Sequence, residues 1–229
     1  MPSRLVVIVA FWLAITNQPL AVSPVLVAQP PTEPQSKSDP VAHADQTLKA
    51  MQILFQQRKW KELIDTFGSE DFLAWPKEVE AKTVEALSLR GQIYSYTKDG
   101  KRAESDLQAA LKLAPRNTAT LLLLAENYVN NLDDSKKALA AYRQVMSIAG
   151  AGKGWQPLTA TVGMARVLTD DVQTEAALEV LKPYGDLSDL PASWRIRFLR
   201  AYGHLYAAQG REAESLSKFR EALKLEAQP

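Results

Sequence analysis

Apolar residues recur at intervals of three and four from about residue 44 to the end of the chain. This spacing places them on one face of an α-helix, and the alternation that is typical of strands is absent. The breaks between apolar stretches coincide with residues that start or stop helices, such as Pro76 and Pro115. The pattern predicts helices at 44–57, 60–68, 77–97, 101–114, 117–131, 134–149, 156–170, 173–183, 191–209 and 212–226.

The N-terminal segment has a different composition from the rest of the chain. Arg4 is its only charged residue, and an unbroken apolar run, 5–15, follows it. A positive end, a short apolar core and a polar break are typical of a secretory signal, so we expect residues 1–28 to be a signal peptide. The alternative is a membrane anchor, because residues 5–28 carry no charge and are long enough to span a bilayer.

Residues 29–43 are rich in proline and polar side chains, and include Pro30, Pro31, Pro34 and Pro40. Proline lacks an amide donor and polar side chains bury little surface, so this segment is predicted to be a disordered, extended tether. The helical repeat domain is then expected to occupy residues 44–229.

The predicted helices repeat a pattern of large and small residues. Leu87, Gly91 and Tyr94 recur 34 residues later as Leu121, Ala125 and Tyr128. The same order returns near the C-terminal end at Leu199, Gly203 and Tyr206. Each set is followed by a second helix with a small residue near its start; these residues are Ala103, Ala138 and Ser215. A repeat of this length indicates stacked helix pairs.

The pattern resembles the tetratricopeptide repeat family, whose motif places Trp-x2-Leu-Gly-x2-Tyr before Ala-x3-Phe and Pro over about 34 residues. The clearest matches are Leu87-x2-Arg90-Gly91-x2-Tyr94 and Leu199-x2-Tyr202-Gly203-x2-Tyr206. The resemblance covers roughly residues 44–228. It implies an all-α fold, an α-solenoid of about five antiparallel helix pairs in a right-handed superhelix.

Composition excludes several classes of function. The chain has no cysteine and two histidines, which argues against thiolate or histidine metal sites and against a cysteine nucleophile. The chain has 27 basic and 26 acidic residues, so it does not have the basic excess that nucleic acid binding needs. The run Gly150–Gly154 lacks the spacing of a phosphate-binding loop and is interpreted as a loop between repeats. We therefore expect no enzyme activity, no metal, no cofactor and no nucleic acid partner.

The resemblance also implies where a partner binds, because first-helix positions line a concave groove in this family. The corresponding residues are Gln92, Tyr96, Glu126, Asn130, Arg166, Asp170, Arg197, Arg200 and His204. Arg197, Arg200 and His204 share one helix face at spacings of three and four. Such a cluster suits an acidic segment or a free carboxylate, and the competing interpretation is that Glu126 and Asp170 neutralise it internally.

These expectations describe an exported, non-enzymatic scaffold that binds a protein or peptide on its concave face. It would be periplasmic or secreted, or anchored to a membrane if the N-terminal segment is retained. The alternative is a structural subunit of an envelope complex, membrane-anchored or self-associating, in which the ends of the solenoid join copies of the chain.

Cleavage after Ala28 is the first choice and predicts a mature protein that begins at Gln29, and cleavage after Ala21 or Ser23 is the alternative. N-terminal sequencing of protein isolated from its native cells measures this directly. A chain that retains Met1 in the soluble cytoplasmic fraction would contradict export, and one that retains Met1 in the membrane fraction would support the anchor.

Overall fold

Ten α-helices follow one another through residues 39–227, the part of the chain that the computed structural model describes, and no strand occurs in this range. Each corresponds to one predicted helix. The helices are α1 Pro40–Gln56, α2 Trp60–Phe67, α3 Glu80–Tyr96, α4 Gly100–Leu113, α5 Thr118–Asn127, α6 Ser135–Ala149, α7 Trp155–Asp170, α8 Thr174–Leu181, α9 Ala192–Ala208 and α10 Glu212–Glu226. They form an all-α solenoid of five antiparallel pairs, which confirms the predicted fold class.

The start of α1 corrects the predicted end of the tether. The helix begins at Pro40, four residues before the predicted start, so residues 40–43 are helical rather than part of an extended segment. The Asp39 carboxylate accepts hydrogen bonds from the amides of Val41 and Ala42, and Pro40 occupies the first turn, where its missing amide costs nothing. The predicted signal segment and the rest of the tether lie outside the described residues.

One turn conformation connects the two helices of every pair. A single residue in each turn has a left-handed backbone; these residues are Arg58, Lys98, Asp133, Val172 and Gly210. The next amide donates to a carbonyl five or six residues earlier, which closes the first helix while the chain reverses. Because four of the five are not glycine, the shared geometry is not visible as a glycine pattern in the sequence.

The third pair accommodates one residue more than the second. Tyr94 lies nine residues before Ala103, whereas Tyr128 lies ten residues before Ala138. A π-helical turn, Tyr128–Leu132, absorbs the additional residue between α5 and α6. In this turn the Asn131 amide donates to the carbonyl and hydroxyl of Ser95, at 3.1 and 2.8 Å, so the insertion contacts the preceding pair.

Small residues let the two helices of a pair cross closely. A Cβ added at Gly91 in α3 would lie 2.8 Å from the Leu107 side chain in α4. A Cβ added at Gly203 in α9 would lie 2.8 Å from the ring of Phe219 in α10. Contacts this short leave room for a hydrogen atom only, so these two glycines fix the register of α3 on α4 and of α9 on α10.

A buried ion pair joins the first two helix pairs. The Arg90 guanidinium in α3 donates twice to the Asp106 carboxylate in α4, with N–O distances of 2.7 and 2.9 Å. It also donates to the carbonyl of Phe67, the last residue of α2, and to that of Glu70 just beyond the helix. Because the Asp106 carboxylate accepts two hydrogen bonds from Arg90 and Arg90 also has two carbonyl partners, the pair is tolerated inside the fold and holds the end of α2 against α3.

Replacing Gly203 with leucine should destabilise the fold by about 1–3 kcal/mol, because the side chain would overpack against Phe219. The matched control is Gly152→Leu, since a Cβ at that position meets nothing within 4 Å. Urea denaturation of both variants gives the two free energies of unfolding. Equal midpoints for Gly203→Leu and the unmodified chain would contradict the close crossing of α9 and α10.

Candidate binding groove

The first helices of the last three pairs enclose the larger of two cavities on one face of the solenoid. Its volume is about 580 Å³, and α5, α7 and α9 supply its walls. It is lined by Glu126, Thr159, Val162, Gly163, Arg166, Thr169, Asp170, Arg197, Arg200, Ala201 and His204. Six of the nine residues predicted from the sequence are therefore brought together here.

A second cavity of about 460 Å³ adjoins the first and extends the same face toward α3. It is lined by Gln92, Ser95, Tyr96, Lys98, Leu123, Glu126, Asn130 and Asn131. Glu126 lines both cavities, so they form one continuous groove along the first helices of pairs two to five. All nine predicted positions line this groove, which places them together in space and leaves their role in binding as a prediction.

An aromatic cluster stands at the α3 end of the groove. The exposed Tyr96 ring lies 5.6 Å from the Trp60 ring and 6.5 Å from the Phe55 ring, between centroids. The Gln92 amide donates to the Tyr96 hydroxyl at 2.9 Å and orients it. Because aromatic surfaces contribute strongly to protein interfaces, this cluster offers an apolar contact next to the polar second cavity.

The larger cavity holds three arginines, two of which are paired with carboxylates of the same chain. Arg166 lies 3.1 Å from Glu126, and Arg200 lies 2.6 Å from Glu226 at the end of α10. Arg197 packs over the Trp194 ring at 5.0 Å, and no carboxylate within residues 39–227 lies within 4.0 Å of it. The carboxylates of the chain therefore neutralise the basic cluster only in part. Glu126 is one of them, in agreement with the competing interpretation of the sequence.

Asp170 does not take part in that neutralisation among the described residues. It ends α7 and is exposed at the larger cavity, where no cation of residues 39–227 lies within 4.0 Å of its carboxylate. His204 is also exposed, and its ring meets the edge of the Phe219 ring at 5.0 Å. The histidine therefore lies over the crossing of α9 and α10.

Tyr142 in α6 orients the Glu126 carboxylate from the buried side of the groove. Its ring is fully buried between α5 and α7, and its hydroxyl donates to Oε1 of Glu126 at 2.7 Å. Burial, together with the adjacent carboxylate, raises the pKa of Tyr142, so the hydroxyl stays protonated and remains a donor. The repeat pattern in the sequence did not indicate this support.

The apolar part of the larger cavity was also not predicted from the sequence. Thr159, Val162 and Gly163 lie seven, four and three residues before Arg166, on the same face of α7. That spacing is a signal that could have identified them. Gly163 is required because an added Cβ would lie within 2.8 Å of the Tyr142 ring and hydroxyl.

Two other sequence features lie outside the groove. The run Gly150–Gly154 follows α6 and ends at the start of α7, as expected of a loop between repeats. His43 is part of α1 and lies 3.3 Å from Glu70. In the described part of the chain, no three His, Asp or Glu side chains are grouped so that they could hold a metal ion.

A groove built from the first helices of successive antiparallel pairs is the arrangement that the sequence resemblance implied. Residues 84–117, which extend from α3 to the residue before α5, match the family model of the tetratricopeptide repeat. The match covers one repeat, formed by α3, α4 and the turns that flank α4.

Solved structures of MamA proteins share this fold. The structure of MamA from residue 41 to its end from Desulfovibrio magneticus RS-1 aligns with a TM-score of 0.61 and 18% identity, over 80% of this chain and 94% of that one. MamA of strain AMB-1 aligns with a TM-score of 0.59 and 19% identity, over 81% and 98%. MamA of strain MSR-1 aligns with a TM-score of 0.56 and 18% identity, over 82% and 96%.

The likeness at these identities establishes the fold and not a shared partner. No curated protein matches the chain in sequence. None of the helices between residues 39 and 227 combines the length and apolar character that a bilayer span requires. The tetratricopeptide-repeat fold is a scaffold for protein interaction, because stacked helix pairs expose an extended concave surface.

Proposed function

We propose that this chain is an exported, non-enzymatic scaffold that binds an extended segment of another protein along its concave groove. One observation carries the proposal. Nine positions chosen from the sequence by their place in the repeat all line two adjoining cavities that share Glu126. The export component rests on the apolar pattern of residues 1–28.

The chemistry of the groove suits a peptide segment rather than a compact small molecule. The two cavities together extend from α3 to α9, which is longer than a single enclosed pocket. The second cavity presents side-chain amides of Gln92 and Asn130, groups that can pair with a peptide backbone. The aromatic cluster around Tyr96 adds an apolar contact at one end. Extended segments bind by this mixture of main-chain hydrogen bonds and side-chain pockets.

Changing Arg197 and Arg200 together to glutamine should weaken partner binding, because both guanidinium groups line the larger cavity. The partner is first recovered on the immobilised unmodified chain, and its affinity is then measured at low and moderate salt. Arg143→Gln with Arg220→Gln is the matched control, since these arginines are exposed on the second helices α6 and α10 and lie outside both cavities.

We expect the groove variant to lose at least about fivefold in affinity at low salt and the control to lose less than about twofold. Circular dichroism would establish that both variants fold. Equal affinity of the groove variant and the unmodified chain at both salt concentrations would mean that the partner binds elsewhere.

A specific observation favours self-association as a second candidate function. Leu216 and Leu223 lie seven residues apart on α10 and are 53% and 60% exposed. The last helix of a solenoid usually presents a polar outer face, which keeps the chain soluble. An exposed leucine stripe at this end would suit contact with a second copy.

Light scattering tests this candidate. The self-association hypothesis predicts an oligomer for the unmodified chain, and a monomer after Leu216 and Leu223 are both changed to serine, because the contact area would lose its apolar side chains. Val172→Ser is the control, since Val172 is 75% exposed in the turn before α8. A monomeric unmodified chain would eliminate this candidate and leave the groove proposal intact.

A further inference from the structure

Glu126 occupies the centre of the groove and is held by three side chains. Its Oε1 accepts from the Tyr142 hydroxyl at 2.7 Å, and its Oε2 accepts from Arg166 and Asn130, both at 3.1 Å. The three donors come from α6, α7 and the π-helical turn. These hydrogen bonds therefore restrict the Glu126 side chain to one conformation at the junction of the two cavities.

The pairing of Glu126 with Arg166 is not a buried structural ion pair. The Arg166 side chain is 43% exposed and that of Glu126 is 38% exposed, whereas the Arg90–Asp106 pair is exposed by 10% and 12%. An exposed pair contributes little to stability, so a competing ligand could replace it at small cost. Arg166 has five N–H donors and uses one on Glu126, which leaves donors for a second carboxylate in the larger cavity.

The charges around the larger cavity identify what limits the binding of an anionic occupant. Three arginines and two carboxylates line the cavity, and Glu226 beside it neutralises Arg200, so the charges balance when histidine is neutral. Glu126 supplies one of the two carboxylates, and it already accepts from Arg166 as a bound acidic side chain would. Removing the charge of Glu126 would leave the cavity with one uncompensated positive charge and would not change its walls.

We propose that the larger cavity binds an acidic peptide segment and that Glu126 sets its affinity by competing for Arg166. This inference rests on the proposed function, and it names both the partner's chemistry and a residue that determines specificity. A partner carboxylate would pair with Arg197, which has no carboxylate partner among the described residues, and would share or take over the donors of Arg166. Glu126, oriented by the Tyr142 hydroxyl, would then compete with the partner carboxylate for Arg166.

The substitution that isolates this role is Glu126→Gln. Glutamine has nearly the same size, and its carbonyl oxygen can still accept from Tyr142, so the wall of the groove is preserved. The matched control is Glu62→Gln. It also removes one negative charge from an exposed ion pair, Lys59–Glu62, but it lies on α2 outside both cavities.

The probe is a fluorescein-labelled peptide of six glutamates, and hexalysine with the same label is the comparison. Anisotropy titrations at low ionic strength give the affinities of the unmodified chain, Glu126→Gln, Glu62→Gln and Arg166→Gln. We expect Glu126→Gln to bind hexaglutamate about two- to fivefold more tightly, the range for one exposed charge pair, and Arg166→Gln to bind it more weakly. Glu62→Gln should match the unmodified chain, and hexalysine should bind weakly to all four.

Equal gains for Glu126→Gln and Glu62→Gln would overturn the proposal, because the effect would then be one of net charge. A loss of hexaglutamate affinity in Glu126→Gln, or preferential binding of hexalysine, would also overturn it and would mark Glu126 as a direct ligand for basic partners. The groove would still be a binding site after such results if changing Arg197 and Arg200 to glutamine weakens binding of the native partner. If Glu126→Gln does not strengthen hexaglutamate binding and the double arginine variant binds the native partner normally, the proposed function is overturned as well.

Discussion

The close crossing of the two helices in a pair is the constraint on which the groove depends. At Gly91 and Gly203 the partner helix approaches so near that no side chain fits, and this fixes how each first helix is rotated about its axis. A fixed rotation decides which side chains point to the next pair and which point to the concave face. The groove residues are therefore aligned by crossings at which Leu107, Ala103 and Phe219 meet the glycines, and His204 packs against the last of these.

Electrostatics gives the aligned groove its character. The mature chain that a signal peptide would leave has equal numbers of basic and acidic residues, so the charge of the groove is local rather than a consequence of composition. Two of its arginines are satisfied by carboxylates of the chain itself, which keeps the empty groove nearly neutral and its guanidinium groups ordered. A partner would exchange one carboxylate for another, and electrostatic complementarity of this kind favours selectivity and rapid association over high affinity.

The periodic pattern of the sequence predicted the helices and their repeat positions. It did not predict side-chain contacts between residues that are distant in the chain. The spacing of apolar residues at three and four was sufficient to predict ten helices, and the family resemblance implied that Arg166, Arg197 and His204 lie on the concave face. It could not reveal that Tyr142 supports Glu126 or that Glu226 pairs with Arg200, because these contacts join residues 16 and 26 positions apart on different helices. The early start of α1 was missed because Pro40 was grouped with the preceding prolines, although Asp39 before it is a helix-capping residue.

Site-specific photo-crosslinking in native extracts tests most directly whether the concave groove is the surface that binds. A benzophenone amino acid would be placed at Thr169, which lines the larger cavity, and in a separate chain at Ala140, which is exposed on α6 outside both cavities. The account predicts a crosslinked partner from position 169 that excess hexaglutamate suppresses, and none from position 140. Equal crosslinking from both positions, or crosslinking from position 169 that hexaglutamate leaves unchanged, would contradict binding of an acidic segment in the groove.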